Sequence, residues 1–278
     1  MYADDTMFHV TGKSVLEVKV VLQESLNIIE RWCNTNRLAV KVGKTKATVI
    51  CTGKRREIID VMELEVKLYG EMLQLVDNQR ILGVTIDSTL TWSQQVDTIC
   101  SKPAKLSGLF YRVKDNLTMN ARCMFYNAYV LPVLNYCLPI WGCCSLTLKE
   151  RVYRLQKRFT RMISNDYVTP VSSIMKKLSI LSIDNLYRYH TAIQVYKCLS
   201  GMSPNYLCSM FQICGENHNY GLRNVGTDVR PPLPHLEITK RSFRYSGAYV
   251  WNTIPVEIRQ CTSIGTFKVH LKQHLFNL

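Results

Sequence analysis

The sequence predicts an α+β fold: one amphipathic helix on short antiparallel strands to about residue 92, then a mainly helical region. Three observations predict it. Ser14-Val15-Leu16-Glu17 has the spacing of a capping box, and Val15, Val18, Leu22, Leu26 and Ile29 follow at helical intervals. Between Leu38 and Ile86 the spacing gives way to short alternating and β-branched runs. Beyond Trp92 the periodic segments reach helix length.

The first helix is expected to end near Trp32-Cys33. Leu38, Val40 and Val42 alternate with polar residues and predict a half-buried strand; Lys46 to Thr52 predicts another. Glu63 to Leu75 reads as a hairpin turning at Tyr69-Gly70-Glu71, and Arg80 to Ile86 as one more strand. Helices are expected over 93–115, 119–138, 147–164 and 184–200, the last closed by Gly201. Residues 215–236, rich in Gly, Asn, Pro and His, read as a loop or linker. Arg241 to Leu278 forms a small terminal unit with a closing helix around Phe267 to Phe276. The expected division is 1–92, 93–168 and 169–278, since 278 residues exceed one usual core.

Charge is distributed unevenly. Residues 1–100 hold 12 Lys and Arg against 13 Asp and Glu, or −1; residues 101–278 hold 23 against 8, or +15. The excess favours a polyanionic partner for the later region, the alternative being a merely soluble basic domain. The eleven cysteines include no C-x-x-C pair, which argues against a zinc ribbon or redox motif and for free thiols. Met1 is followed by Asp4 and Asp5 rather than a basic and apolar leader, so an intracellular, non-secreted protein is expected, and the sequon Asn116-Leu117-Thr118 then carries no meaning. Cys123 to Leu148 carries no charge and has the length of a membrane span, but Pro132, Pro139 and Gly142 interrupt it. Prolines seven residues apart would free carbonyls that lipid cannot satisfy, so a buried, broken helix is expected and no membrane partner.

Few residues offer chemistry. Asp4-Asp5 behind Tyr2-Ala3 would put two hard oxygen ligands at one hairpin tip, suited to Mg²⁺, although Asp is also common in plain turns. Gly43-Lys44-Thr45 lacks the first glycine of a phosphate loop, because Leu38 stands there. His270 and His274 have metal-ligand spacing without a third partner, and Cys208, Cys214 and His218 lack a fourth ligand. Lys149 to Ile163 is more telling. At about 100° per residue, Arg151, Arg154, Arg158 and Arg161 fall within one arc of about 80°, beside Val152, Leu155, Phe159, Met162 and Ile163. Only Glu150 stands close enough in sequence to neutralise them. The stripe suits a nucleic-acid backbone, or else a solvated face with snorkelling stems.

Five segments in order resemble the reverse transcriptases of LINE-type (non-LTR, jockey-like) retrotransposons. They are Tyr2-Ala3-Asp4-Asp5; Trp32 to Thr45; Leu82 to Asp87 with Leu90 and Trp92; Tyr126 to Trp141 followed by Leu155-Gln156-Lys157-Arg158; and Phe243 to Ile258 with Phe267-Lys268. The resemblance implies a palm remnant to about residue 92, a helical thumb-like region to about 168, and a C-terminal region. It implies RNA and DNA as partners, deoxynucleotides as substrate, Asp4 and Asp5 as Mg²⁺ ligands of the intact enzyme, and Lys44 near the nucleotide phosphates. Val42 departs from the pattern, where Asn is frequent. The family's third carboxylate and fingers stand before the YADD-like hairpin, so a truncated copy without polymerase activity and with no tightly bound Mg²⁺ is expected. The alternative is a non-catalytic nucleic-acid-binding protein that uses its basic helical region.

Overall fold

A computed structural model of the chain describes residues 5–52, 64–214, 227–234 and 236–278. They fall into two compact units, 1–91 and 92–278.

The first unit is built on α1, Val15–Thr35. Ser14 caps it by accepting from the Glu17 N–H at 3.2 Å, and the Glu17 carboxylate accepts from the Lys13 N–H at 2.8 Å. Leu26 packs with Leu64, Val66, Leu68 and Leu73, and Val15, Val18, Leu22 and Ile29 border that core, as their spacing predicts. The strands are short: β1 Lys46–Ala47, β2 Lys67–Leu68, β3 Glu71–Met72, β4 Gln74–Leu75, β5 Asn78–Ile81 and β6 Val84–Asp87. β2 and β3 form the expected hairpin, turning at Tyr69 (φ 51°) and Gly70 (φ 78°). The Gln23 side chain holds the edge of β2, donating to Lys67 O at 2.9 Å and accepting from Lys67 N–H at 2.8 Å.

Three expectations are corrected here. Arg80–Ile86 is not one strand but parts of the β5–β6 hairpin, because Leu82 (φ 46°) and Gly83 (φ 83°) both take left-handed backbone and reverse the chain. β1 pairs with β4 in parallel, so the strands are not all antiparallel. Val42 lies in a 3-10 turn, Val42–Lys44, rather than in a strand; its side chain reaches the core without a ladder partner.

The second unit is helical. α2, Ser93–Val113, leaves a turn in which Leu90 (φ 52°) and Trp92 (φ 68°) are left-handed. Asp87, buried beside that turn, accepts from Thr89 N–H at 3.1 Å, Thr89 Oγ1 at 2.9 Å and Thr91 N–H at 2.8 Å. The uncharged segment is a broken helix: α3 Met119–Phe125, a π turn Tyr126–Val130, α4 Leu131–Asn135, and α5 Leu138–Trp141. Pro132 and Pro139 occupy the first turns of α4 and α5, where a missing N–H costs least. No helix among the described residues is long and apolar enough to cross a membrane.

α6 is Leu146–Ser164, α7 Val171–Lys177, α8 Ile183–Leu199 and α9 Asn205–Cys208. Gly201 (φ 68°) ends α8 as expected, with Met202 N–H reaching back to Lys197 O at 2.8 Å. α10 Glu237–Lys240, α11 Phe243–Asn252, α12 Val256–Arg259 and α13 Ile264–Asn277 complete the chain. Phe110, Tyr126, Leu134, Trp141, Phe159, Ile163 and Phe267 are fully buried. Rings run through this core: Phe125 stacks on Phe110 at 4.6 Å, and Tyr196 on Phe267 at 4.6 Å. All eleven cysteines are free.

Candidate nucleic-acid interface

Helical spacing places the two stripes of α6 correctly. Val152, Leu155, Phe159, Met162 and Ile163 are buried, joined by Gln156 and Thr160. The arginine edge, however, is not a row of four unpaired cations. Arg151 bonds Asp97 of α2 at 2.5 Å. Arg154 is 69% exposed and lies 3.7 Å from Glu150, a weak surface pair. Arg158 is exposed and carries no ion pair among the described residues. Arg161 is turned inward, donating to Asp166 O at 2.9 Å and Thr169 O at 2.6 Å. The reason is local: the loop after α6 presents carbonyls that a guanidinium fork satisfies. Two arginines, Arg154 and Arg158, therefore remain open to a phosphate backbone.

The same loop carries the most perturbed carboxylate among the unit's described residues. Asp166 is held down to about 2, chiefly by the Thr169 hydroxyl, then by the Thr169 and Val168 N–H groups, with a smaller pull from Arg161. A depressed folded-state pKa gives stability that is full above the unfolded value of 3.8 and is lost as pH falls toward 2. Asp166→Asn is expected to flatten the acid limb of the stability profile between those values. An acid limb identical to wild type would show that this carboxylate is not held by the loop.

The remaining sequence candidates are dispersed. Asp5 is exposed, and Asp4 lies outside the described residues. Lys44 ends the 3-10 turn, exposed. Among the described residues no three His, Cys, Asp or Glu side chains converge on a metal position. Asp5 thus offers a divalent cation one exposed carboxylate, and the described residues alone do not fit a Mg²⁺ site. His270 faces Cys261, Nδ1 to Sγ 3.5 Å, without a third ligand among the described residues. Cys208 donates to Ser203 O, and His218 lies outside the described residues.

The motif residues instead act as clamps, which sequence reasoning did not foresee. Tyr126 and Gln156, from two parts of one motif pair, meet in the core: Gln156 Nε2 donates to Tyr126 Oη at 3.1 Å and to Leu181 O at 3.2 Å. Burial pushes the Tyr126 hydroxyl up to about 12. Trp141 Nε1 donates to Tyr136 O at 2.8 Å. Trp251 Nε1 donates to Thr227 O at 3.0 Å, and Asn252 bonds both Val229 N–H (2.9 Å) and Val229 O (2.8 Å). Arg259, buried and one residue beyond the motif, bonds Thr227 O at 3.1 Å and Asp228 at 2.5 Å. The partners are mostly backbone atoms far along the chain, and no spacing rule announces them.

Comparison with known proteins finds the same kinship as the motifs. The chain is 24% identical over 196 residues to a probable RNA-directed DNA polymerase from transposon BS of Drosophila melanogaster, covering 69% of this chain and 21% of that protein. It is 25% identical over 173 residues to the RNA-directed DNA polymerase from mobile element jockey of Drosophila melanogaster, covering 59% and 18%. The jockey polymerase of Drosophila funebris is 24% identical over 167 residues, again 59% and 18%. The chain spans about a fifth of the length of these curated relatives. No family model and no solved structure matches. By its motifs and by these comparisons, the chain is similar to the RNA-directed DNA polymerases of the mobile elements BS and jockey of Drosophila.

Proposed function

We propose that this chain corresponds to a later portion of a non-LTR retrotransposon reverse transcriptase, a palm portion followed by a thumb-like helical region. In this reading it holds nucleic acid along the exposed edge of α6 and does not polymerise by itself. The observation that carries it is the similarity to RNA-directed DNA polymerases over as much as 69% of the chain. The +15 charge of residues 101–278 and the open Arg154 and Arg158 support a polyanionic partner. In an intact polymerase Asp4 and Asp5 would be Mg²⁺ ligands, with Lys44 near the nucleotide phosphates. The second reading, a non-catalytic nucleic-acid-binding protein, is favoured by one observation: the basic edge of α6, where Arg154 and Arg158 stay exposed.

Residues 1–278 are expected to give no Mg²⁺-dependent primer extension yet to bind RNA and DNA with little sequence preference. Affinity should fall steeply with salt, by a log-log slope of about −0.7 to −0.9 for each phosphate contact. Arg154→Gln with Arg158→Gln should shrink that slope by roughly 1.5 units, with folding intact, because two contacts are removed. An unchanged slope would assign both arginines to solvent. Primer extension that vanishes in Asp4→Asn would overturn the claim of inactivity.

A further inference from the structure

α2 and α6 run parallel and side by side. Arg151 bonds Asp97 near the start of both helices. Further along, the rings of Phe110 and Phe159 lie 5.8 Å apart. Just past their ends, Lys114 Nζ donates to Asn165 Oδ1 at 2.9 Å. The two helices, of 21 and 19 residues, carry nine Lys and Arg against two Asp and Glu, or +7, which is half of the chain's +14. Both acids are engaged, Asp97 by Arg151, and Glu150 by Arg154 and Lys157. A surface with so many cations left over favours a polyanion.

The strip of α2 that borders the arginine edge is made of small residues. Ser101, Ala104 and Gly108 follow Asp97 by four, seven and eleven positions and are exposed, whereas Ile99, Pro103, Ser107 and Phe110 are buried on the opposite side. Gly108 shows that the strip is not shaped by folding. Its backbone is not left-handed, and a Cβ there would meet nothing within 4 Å. Neither the turn of the chain nor packing requires a glycine, which weakens a helix interior relative to alanine. What it supplies is a low floor that another backbone can approach closely.

Beyond that floor stand Lys105 and Arg112. At about 100° per residue they lie about 60–80° round from Asp97, away from the Phe110 side that meets α6. Both are exposed and carry no ion pair among the described residues. Across the floor stand Arg154 and Arg158. All four cations fall between the Asp97–Arg151 and Lys114–Asn165 contacts, so the two rims border the same length of groove.

We propose that α2 and α6 together form the nucleic-acid site: the phosphates of one strand lie over Ser101, Ala104 and Gly108, with Arg154 and Arg158 on one rim and Lys105 and Arg112 on the other. The proposal rests on the nucleic-acid reading above and adds to it a second helix, a floor and two cations. Charge complementarity selects the occupant, because a phosphodiester backbone offers anions in a row to cations in a row.

The test follows binding of the full chain to oligo(dT) of twenty nucleotides, and to a duplex of the same length, by fluorescence anisotropy across a salt series. Lys105→Gln with Arg112→Gln is expected to shrink the salt slope by roughly 1.5 units, as much as the α6 pair, and to do so with both probes. Gly108→Glu is expected to weaken binding about tenfold, because it sets a carboxylate on the floor. It should melt at or above the wild-type temperature, since glutamate is the better helix former, so any loss of binding is not a loss of folding. An unchanged slope in the Lys105 and Arg112 variant, or Gly108→Glu affinity within about twofold of wild type, overturns the groove; if the Arg154 and Arg158 variant still shrinks the slope, the α6 reading stands without it. Slopes unchanged in both pairs overturn both. A response of oligo(dT) alone would overturn the backbone track, because phosphates are common to the two probes.

Discussion

Replacing Trp141 by Ala is expected to destabilise the 92–278 unit by about 3–5 kcal/mol. The indole is fully buried at the end of α5, and its N–H reaches Tyr136 O across the left-handed corner at Cys137 (φ 50°). The substitution removes both the largest side chain of this part of the core and the bond that pins the corner. Neighbouring backbone has little freedom to refill the space. A Cβ on Gly142 would already stand 2.4 Å from the Tyr187 ring and 2.6 Å from Leu138 O, so α5 and α8 are in close contact. The cavity should therefore persist, which puts the cost at the high end for a large-to-small change. For a unit of this size the loss corresponds to a melting temperature lower by roughly 6–20 °C, read by circular dichroism. A drop of less than about 3 °C would mean that the core closes over the gap and that Trp141 is not the support described.

What the sequence shows and what it hides separate along one physical line, the distance of the partner. The cap at Ser14, the apolar face of α1, the turn at Tyr69-Gly70 and the Gly201 stop depend on atoms within a few residues, and each is legible from the residues themselves. The breaks at Pro132 and Pro139 belong to the same class, because proline lacks a donor wherever it stands. The β1–β4 pairing joins residues 28 apart in parallel, and alternation at Val40 and Val42 cannot reveal that no strand comes alongside. Helical periodicity put four arginines on one edge of α6, but Asp97, which engages Arg151, is 54 residues away. The fate of Arg161 was closer to hand. Asp166 and Thr169 follow it by five and eight residues, and an Asp-x-x-Thr loop after a helix is a known sink for side-chain hydrogen bonds. Tyr126, Gln156, Trp251 and Asn252 entered by resemblance alone. Their work is to satisfy buried polar groups, which is a tertiary demand with no local signature.

Asn252 offers the sharpest test of that last point. Ile213 and Val229 form an isolated antiparallel bridge whose hydrogen bonds are made by their neighbours, Cys214 N–H to Asp228 O at 2.8 Å and Arg230 N–H to Gln212 O at 2.9 Å. The N–H and C=O of Val229 therefore point away from Gln212–Cys214, in a residue that is fully buried. The Asn252 carboxamide meets both, accepting from the N–H at 2.9 Å and donating to the C=O at 2.8 Å. Asn252→Leu keeps the branched shape of the side chain and leaves two buried backbone groups without their partner, which should cost about 2–6 kcal/mol in urea unfolding, since each orphaned group costs about 1–3. Asn252→Asp should fall between, because a carboxylate still accepts from the N–H but offers the C=O nothing. Amide exchange at Val229 should accelerate in the Leu variant by more than at helix α8, which shares no hydrogen bond with the clamp. If Asn252→Leu unfolds within about 0.5 kcal/mol of wild type, water has taken the place of the amide, and the tryptophan–asparagine motif must be retained for something other than holding residues 227–229.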